Sequence, residues 1–271
     1  MDHKNLSYYR SFFQTPPLWN GNLDGLEQFR FPKIDFGNLE TKVIPSNLRF
    51  GHKIEHIFQQ LIQHSQDYKL IAHNIPIRKN KVSMGEIDFL VQNVDDEMYT
   101  HVELTYKFYV LRQDTTIVQH QLIGPNQRDS FYAKKEKIFN HQIPLLNTPE
   151  AISVLKELNI DISELRHQVC FKCQLFIPYE VEKMDLAPFN SECIAGRWIT
   201  LRKFRSSNFL KLKYYLPTKS EWLLEPSYEV AWLTYNEVLG FISNRLEDGN
   251  SPMLWVKIEE SKIEKLFIVW W

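Results

Sequence analysis

The sequence predicts an α/β (α+β) fold, a mixed central sheet flanked by helices. Three observations predict it. Gly85 to Val91 and His101 to Phe108 each alternate polar with apolar residues, the period of half-buried strands. Ile54, Ile57, Phe58, Leu61 and Ile62 recur at the spacing of one helical face. Val169 to Ile177 is an apolar, strand-like run long enough to cross a core.

The elements follow in order. Residues 1–48 read as an irregular leader packed on the core. Tyr8, Tyr9, Phe12 and Phe13 form one helical face there, ended by Pro16-Pro17. The helix around Ile54 to Ile62 comes next, with Glu55 about 90° from the centre of its apolar stripe, at the edge of the buried face. Leu70 to Arg78 is a strand closed by the Lys79-Asn80-Lys81 turn, and the two alternating strands come after it. Gly124-Pro125-Asn126 breaks the chain. Ser130 to Gln142 is a helix stopped by Pro144, Ala151 to Leu158 is another, and Gln168 to Pro178 is a buried strand. Residues 49–180 thus form a core domain. Residues 181–271 form an α+β extension with a helix at Tyr235 to Leu246 and strands at Leu254 to Ile258 and Lys265 to Trp271.

Composition narrows the function. The chain has 271 residues, 44% hydrophobic and 14% aromatic, with a formal net charge of -1, so no overall charge announces a polyanionic partner. The charge is uneven, though. No acidic residue lies between Glu192 and Glu221, whereas Arg197, Arg202, Lys203, Arg205, Lys211, Lys213 and Lys219 do, interleaved with Trp198, Phe204, Phe209, Tyr214 and Tyr215. Basic groups neutralise phosphates and aromatic rings stack on bases, so this run is a candidate nucleic-acid surface. The three cysteines, Cys170, Cys173 and Cys193, argue for a reducing cytoplasm without disulfide partners. Cys170 and Cys173 have a metal-site spacing, yet residues three apart on a strand point to opposite faces, and they read as core thiols. No run of about 18 apolar residues exists, which argues against a membrane span, and the N-terminal residues lack the apolar run of a signal peptide.

The sharpest chemical signal lies in the two alternating strands. Asn93-Val94-Asp95-Asp96-Glu97-Met98 between them is rich in turn formers. A hairpin loop from Val94 to Glu97 pairs Asn93 with Met98. The same register sets Asp88 opposite Glu103 and Met84 opposite Lys107. Two carboxylates facing each other destabilise a sheet, and a divalent cation held between them turns that repulsion into a site.

A wider set of residues joins this pair: Gly51-His52-Lys53-Ile54-Glu55, Gly85-Glu86-Ile87-Asp88-Phe89-Leu90, Glu103-Leu104-Thr105-Tyr106-Lys107-Phe108-Tyr109 and Gly124-Pro125-Asn126. Asp129, Lys134 and His141-Gln142 follow, with weaker matches at Pro16-Pro17-Leu18 and Gly196-Arg197-Trp198. In these pieces the chain resembles the PD-(D/E)XK, or restriction-endonuclease-like, nuclease superfamily. Within it the chain resembles a bacterial family of unknown function with a Glu-Leu-x-x-Lys-Phe-Tyr strand. The resemblance implies that Asp88 and Glu103 are metal ligands, that Glu55 adds a ligand or holds a metal-bound water, and that Lys107 assists the attacking water. It implies Mg²⁺, with Mn²⁺ as a substitute, and hydrolysis of phosphodiester bonds. The superfamily's lysine usually stands two residues after the acidic residue, where this chain has Thr105. Lys107 is two residues further, about 6.6 Å along the strand.

The resulting expectation is a Mg²⁺-dependent nuclease, with DNA favoured as substrate. Its catalytic residues are Glu55, Asp88, Glu103 and Lys107, and Lys134, Arg197, Arg202, Lys203 and Arg205 contact nucleic acid. The alternative is a catalytically impaired nuclease-like scaffold that binds nucleic acid or protein.

Overall fold

The computed structural model describes residues 3–271; Met1 and Asp2, where the expected leader begins, lie outside the described residues. The first half of the chain forms α1 (His3–Gln14), β1 (Asn22–Leu23), β2 (Leu26–Glu27), α2 (Phe50–His64), β3 (Tyr68–Lys79), β4 (Val82–Asn93), β5 (Tyr99–Leu111), α3 (Val118–Gln121) and β6 (Leu122–Ile123). Then come α4 (Phe131–Lys137), α5 (Ile143–Leu145), α6 (Pro149–Glu157), β7 (Arg166–Pro178), β8 (Ile194–Thr200), α7 (Leu201–Phe204), β9 (Lys213–Tyr215), α8 (Tyr235–Glu247), β10 (Met253–Glu259) and β11 (Lys262–Val269). The fold is a mixed sheet of nine strands flanked by helices, the class the sequence predicts. The chain falls into two compact units. One takes the residues up to Tyr106 with Ala133–Lys172, and the other takes Lys107–Tyr132 with Cys173–Trp271. No helix among the described residues is long and apolar enough to cross a membrane.

In the first unit, all five apolar residues of the α2 stripe are buried. Phe58 on that stripe rests on Phe89 of β4, with ring centroids 4.5 Å apart. Phe12 of α1 and Phe31 meet Phe58 edge to face, the geometry that ring quadrupoles favour. The leader is fastened by a buried cation. Lys172 of β7 sends its ammonium to the carbonyls of Phe13, at 3.0 Å, and Thr15, at 2.5 Å, at the C-terminal end of α1. That end carries the negative pole of the helix. A second cluster gathers Ile87 and Leu90 of β4 with Leu145, Ala151 and Leu155 of α5 and α6.

The β4–β5 hairpin adopts the register read from the sequence. The Asn93 N–H donates to the Met98 carbonyl at 3.0 Å, and Gln92–Tyr99 through Phe89–Val102 pair in antiparallel fashion. The ladder stops there, short of the Met84–Lys107 pair that an extended register would give. Asp88 ends it, because its carboxylate accepts the Leu104 N–H at 2.9 Å. A second departure is burial. β5 alternates in sequence, but from Thr100 to Tyr106 every residue is buried. A strand covered on both faces leaves even polar positions dry.

Pro144 does not stop the helix before it. The helical path runs from Phe131 to Leu145 through a wide turn at Ile138–Gln142, where the Ile143 N–H reaches the Ile138 carbonyl, five residues back. Proline lacks an N–H and crowds the preceding turn, and the wide turn relieves both demands.

In the second unit, β8 runs parallel to β7 and β11, and β10 is antiparallel to β11 and β9. β8 and β9 lie in the basic-aromatic run, where the sequence reading assigns no strand. Gly196 is required by close approach, since a Cβ there falls 2.3 Å from the Lys265 carbonyl oxygen. Phe204, Phe209 and Tyr214 pack with Val238 and Ile242 of α8 in this unit's core. They are therefore unavailable for base stacking, which corrects that part of the expectation. α8 opens with a reciprocal cap between Thr234 and Glu237. All three cysteines are buried, and none forms a disulfide.

Phe58→Ala should destabilise the chain by roughly 3–5 kcal/mol, the range for removing a buried aromatic ring. Urea unfolding followed by tryptophan fluorescence measures it, and an unshifted midpoint would remove Phe58 from the core.

Candidate active site

The middle of β5 and the helix beginning at Phe131 build the site of the first unit. Glu103 lies on β5 and is 2% exposed. A carboxylate this deep requires compensation, since an unpaired buried charge is strongly unfavourable. Lys134 of α4 supplies it: its ammonium donates to Glu103 Oε1 at 2.9 Å. The Gln142 amide donates to Glu103 Oε2 at 3.2 Å. Lys134 and Gln142 are eight residues apart, which on a regular α-helix puts them about 80° out of line. The wide turn at Ile138–Gln142 absorbs one residue. They then stand in phase as though seven apart, within roughly 20°, so the turn that accommodates Pro144 also aims both donors at one carboxylate.

Asp88 sits on β4 beside this pair. Its carboxyl is pushed up to about 8, first by loss of solvent and then by the Glu103 charge, against the Leu104 N–H and Lys134, which lower it. Glu55 of α2 contributes a further upward push. The Glu55 carboxylate is 30% exposed, at the margin of the stripe as its helical angle requires, and pairs with His52 at 3.1 Å.

Asn74 is a residue that sequence reasoning missed. It lies on β3 between the pairs His73–Phe89 and Ile75–Ile87, at the register position of Asp88. Its φ of 51° is left-handed, a conformation asparagine tolerates better than most residues. Its amide donates to Glu55 Oε2 at 3.1 Å, and its own oxygen is buried with no partner. The sequence signal was an asparagine next to His73 in the middle of a strand, which is too weak to single out.

Glu55, Asp88, Glu103 and the Asn74 amide oxygen are all hard oxygen donors, the set that suits Mg²⁺ or Mn²⁺. The partnerless Asn74 oxygen is the feature that fits a cation or its bound water. Among the described residues, no three His, Cys, Asp or Glu side chains are gathered closely enough to hold an ion as they stand. Lys134 is the charge that balances Glu103.

The other expected residues lie elsewhere. Lys107 belongs to the second unit and bonds Asp129 at 2.5 Å. The lysine on Glu103 is therefore Lys134, and Thr105, two residues along β5 from Glu103, is 3% exposed with a partnerless hydroxyl. Arg197 is held by the carbonyls of Pro178 and Val181. Lys203 pairs with Glu180. Arg202 and Arg205 are exposed on and just after α7. His101, 2% exposed on β5, has its pKa lowered to about 3 by burial and stays neutral, a core histidine beside His167.

Residues 36–269 match the family described as "Domain of unknown function (DUF1853)". The chain belongs to the DUF1853 family. No curated protein and no solved structure matches it. The match covers both units, so the carboxylate centre of the first and the basic run of the second lie inside the DUF1853 domain.

Two outcomes follow for this DUF1853 chain. The folded Asp88 carboxyl titrates near 8 against an ordinary value of 3.8. Between those values the folded state keeps a proton that the unfolded state has lost. Stability therefore falls as pH rises through that window, by up to about 1.4 kcal/mol per pH unit. Asp88→Asn should flatten this dependence between pH 5 and 8 in thermal denaturation; identical wild-type and variant curves would show Asp88 ionised throughout. Lys134→Ala should cost about 3–5 kcal/mol by stranding the Glu103 charge. Adding Glu103→Gln should recover most of that loss, and no recovery would mean that Lys134 acts through other contacts.

Proposed function

We propose that this chain is a metal-dependent nuclease, built on a restriction-endonuclease-like core, that hydrolyses phosphodiester bonds with DNA favoured over RNA. One observation carries the reading. Glu103 is buried, and half-buried Asp88 lies close enough for the Glu103 charge, together with loss of solvent, to push its carboxyl up to about 8. That arrangement opposes stability, and groups perturbed in this way concentrate where chemistry is done.

Asp88 and Glu103 would hold Mg²⁺, with Glu55 and the Asn74 amide oxygen at the margin. When bound, the ion supplies Lewis acidity toward a phosphate oxygen and lowers the pKa of water. The chain's own residues do the rest. Asp88 would have to give up its proton to act as a ligand, so metal binding would strengthen as pH rises toward 8. Lys134, which balances Glu103, would orient the attacking water and offset charge developing on the phosphate. Gln142 keeps Glu103 in position. This reading moves the lysine's role from Lys107 to Lys134. In the second unit, Arg202 and Arg205 are exposed cations suited to phosphate contacts.

A second reading, a non-catalytic nucleic-acid-binding scaffold, is favoured by the closed Lys134–Glu103 pair and by Thr105 at the usual lysine position. Cleavage of labelled duplex DNA with Mg²⁺ or Mn²⁺ separates the two. The nuclease reading expects metal-dependent cutting that falls at least about 100-fold in Asp88→Asn and Lys134→Met, with Lys107→Met losing far less. An intact, folded wild type that cuts no nucleic acid with either metal would leave the scaffold.

A further inference from the structure

The β3–β4 hairpin extends beyond the point where β4 leaves β5. The β4–β5 ladder ends at Phe89–Val102, whereas β3 and β4 stay paired out to Lys79–Val82. The base of this ribbon is anchored, because Ile77 and Ile87 are buried with Leu145 and Leu146. Beyond Ile77, Arg78 through Met84 are exposed without interruption. The Asn80-Lys81 turn has φ of 47° and 69°, the doubly left-handed geometry whose twist matches the flanking strands. The ribbon is therefore a defined projection and not a loose loop.

Its surface has a marked composition. No acidic residue occurs from Tyr68 to Gly85, while Lys69, Arg78, Lys79 and Lys81 do. Three of these four cations cluster at the tip; Lys79 also approaches Glu150 at 3.4 Å. Two large apolar side chains share the tip, Val82 at 68% exposed and Met84 at 39%. The register shifts between the pairs Ile77–Gly85 and Arg78–Ser83, leaving Met84 as the extra residue of a bulge. Bulges of this kind re-aim side chains. Cations alone would guard a strand edge against aggregation, but exposed Val82 and Met84 work against that purpose.

We propose that the tip of this ribbon, Arg78 to Met84, is a DNA-binding element that enters the major groove of a duplex. The inference deepens the nuclease reading and rests on it for the choice of nucleic acid as partner. A two-stranded ribbon fits the major groove of B-DNA, which is about 12 Å wide and 8.5 Å deep. Two ladder pairs beyond Ile77–Gly85, capped by the Asn80-Lys81 turn, give a projection of roughly 10 Å, matching that depth. Arg78, Lys79 and Lys81 meet phosphates at the groove walls, and Val82 and Met84 meet the apolar edges of bases. The major groove of duplex RNA is too deep and narrow for side chains to read, so the shape selects DNA. The same β4 strand carries Asp88 four residues from Met84, which joins groove contact to the carboxylate centre along one rigid element.

The test is binding of the full chain to a labelled 24-base-pair DNA duplex, followed by fluorescence anisotropy in EDTA across a salt series. The triple variant Arg78→Ala/Lys79→Ala/Lys81→Ala should lose at least about ten-fold in affinity at 0.1 M salt, and its log–log salt slope should fall by up to about 2.7, at roughly 0.9 per phosphate contact. Val82→Ser/Met84→Ser should weaken binding with the slope unchanged. Both variants change exposed side chains, and circular dichroism checks that they fold. Unchanged affinity and slope in the triple variant would overturn the proposal, as would a wild type that binds no duplex DNA or that binds an RNA duplex equally well with the same ribbon dependence. Cleavage is scored separately with Mg²⁺. Binding that depends on the ribbon in a chain that never cuts would uphold the ribbon and overturn the nuclease. Cutting that persists undiminished in the triple variant, with binding unchanged, would do the reverse.

Discussion

The Glu103–Lys134 pair is the constraint around which the first unit is arranged. A carboxylate in the middle of a strand covered on both faces cannot stand alone. It requires a lysine from another element and a helix placed to deliver it. The helix beginning at Phe131 delivers Lys134 and Gln142 together only because its backbone widens at Ile138–Gln142. Pro144, the wide turn, the two donors and the buried acid are parts of one solution. Buried ion pairs contribute little net stability compared with apolar packing. Keeping one beside a second carboxylate is what motivates the proposed metal site.

Asp88 links that centre to the sheet. By accepting the Leu104 N–H it takes a position that a strand partner would otherwise fill, and the β4–β5 ladder ends there. The divergence has two consequences. It leaves a side chain with a raised pKa next to Glu103, and it frees β3 and β4 to continue as a ribbon of their own. Asn74, bent into a left-handed conformation at the register position of Asp88, marks the same place on β3. Backbone strain of this kind persists only where its surroundings hold it.

The second unit is organised by ordinary packing. Its basic-aromatic run divides by face, as β-strands and short helices do. Phe204, Phe209 and Tyr214 turn inward to meet α8, and Arg202, Arg205, Lys211 and Lys213 turn outward. Interleaving in sequence thus becomes segregation in space, and the aromatic half serves the core.

The sequence by itself determined the periodic features. α2 and its buried stripe, the hairpin register, β7, α8 and the C-terminal strands were all legible, because each follows from local period and turn chemistry. The opposition of Asp88 and Glu103 across the hairpin was legible for the same reason, whereas Glu55 joined them only through the resemblance. Tertiary structure decided what lay across these elements. It chose Lys134 over Lys107 as the partner of Glu103, because strand period says which face a lysine occupies but not which helix covers it. It buried β5 on both faces, drew Asn74 beside Asp88, and placed β8 and β9 in a stretch whose pattern mixes two faces. Each of these depends on contacts between residues far apart in the chain, and no local window of sequence carries that information.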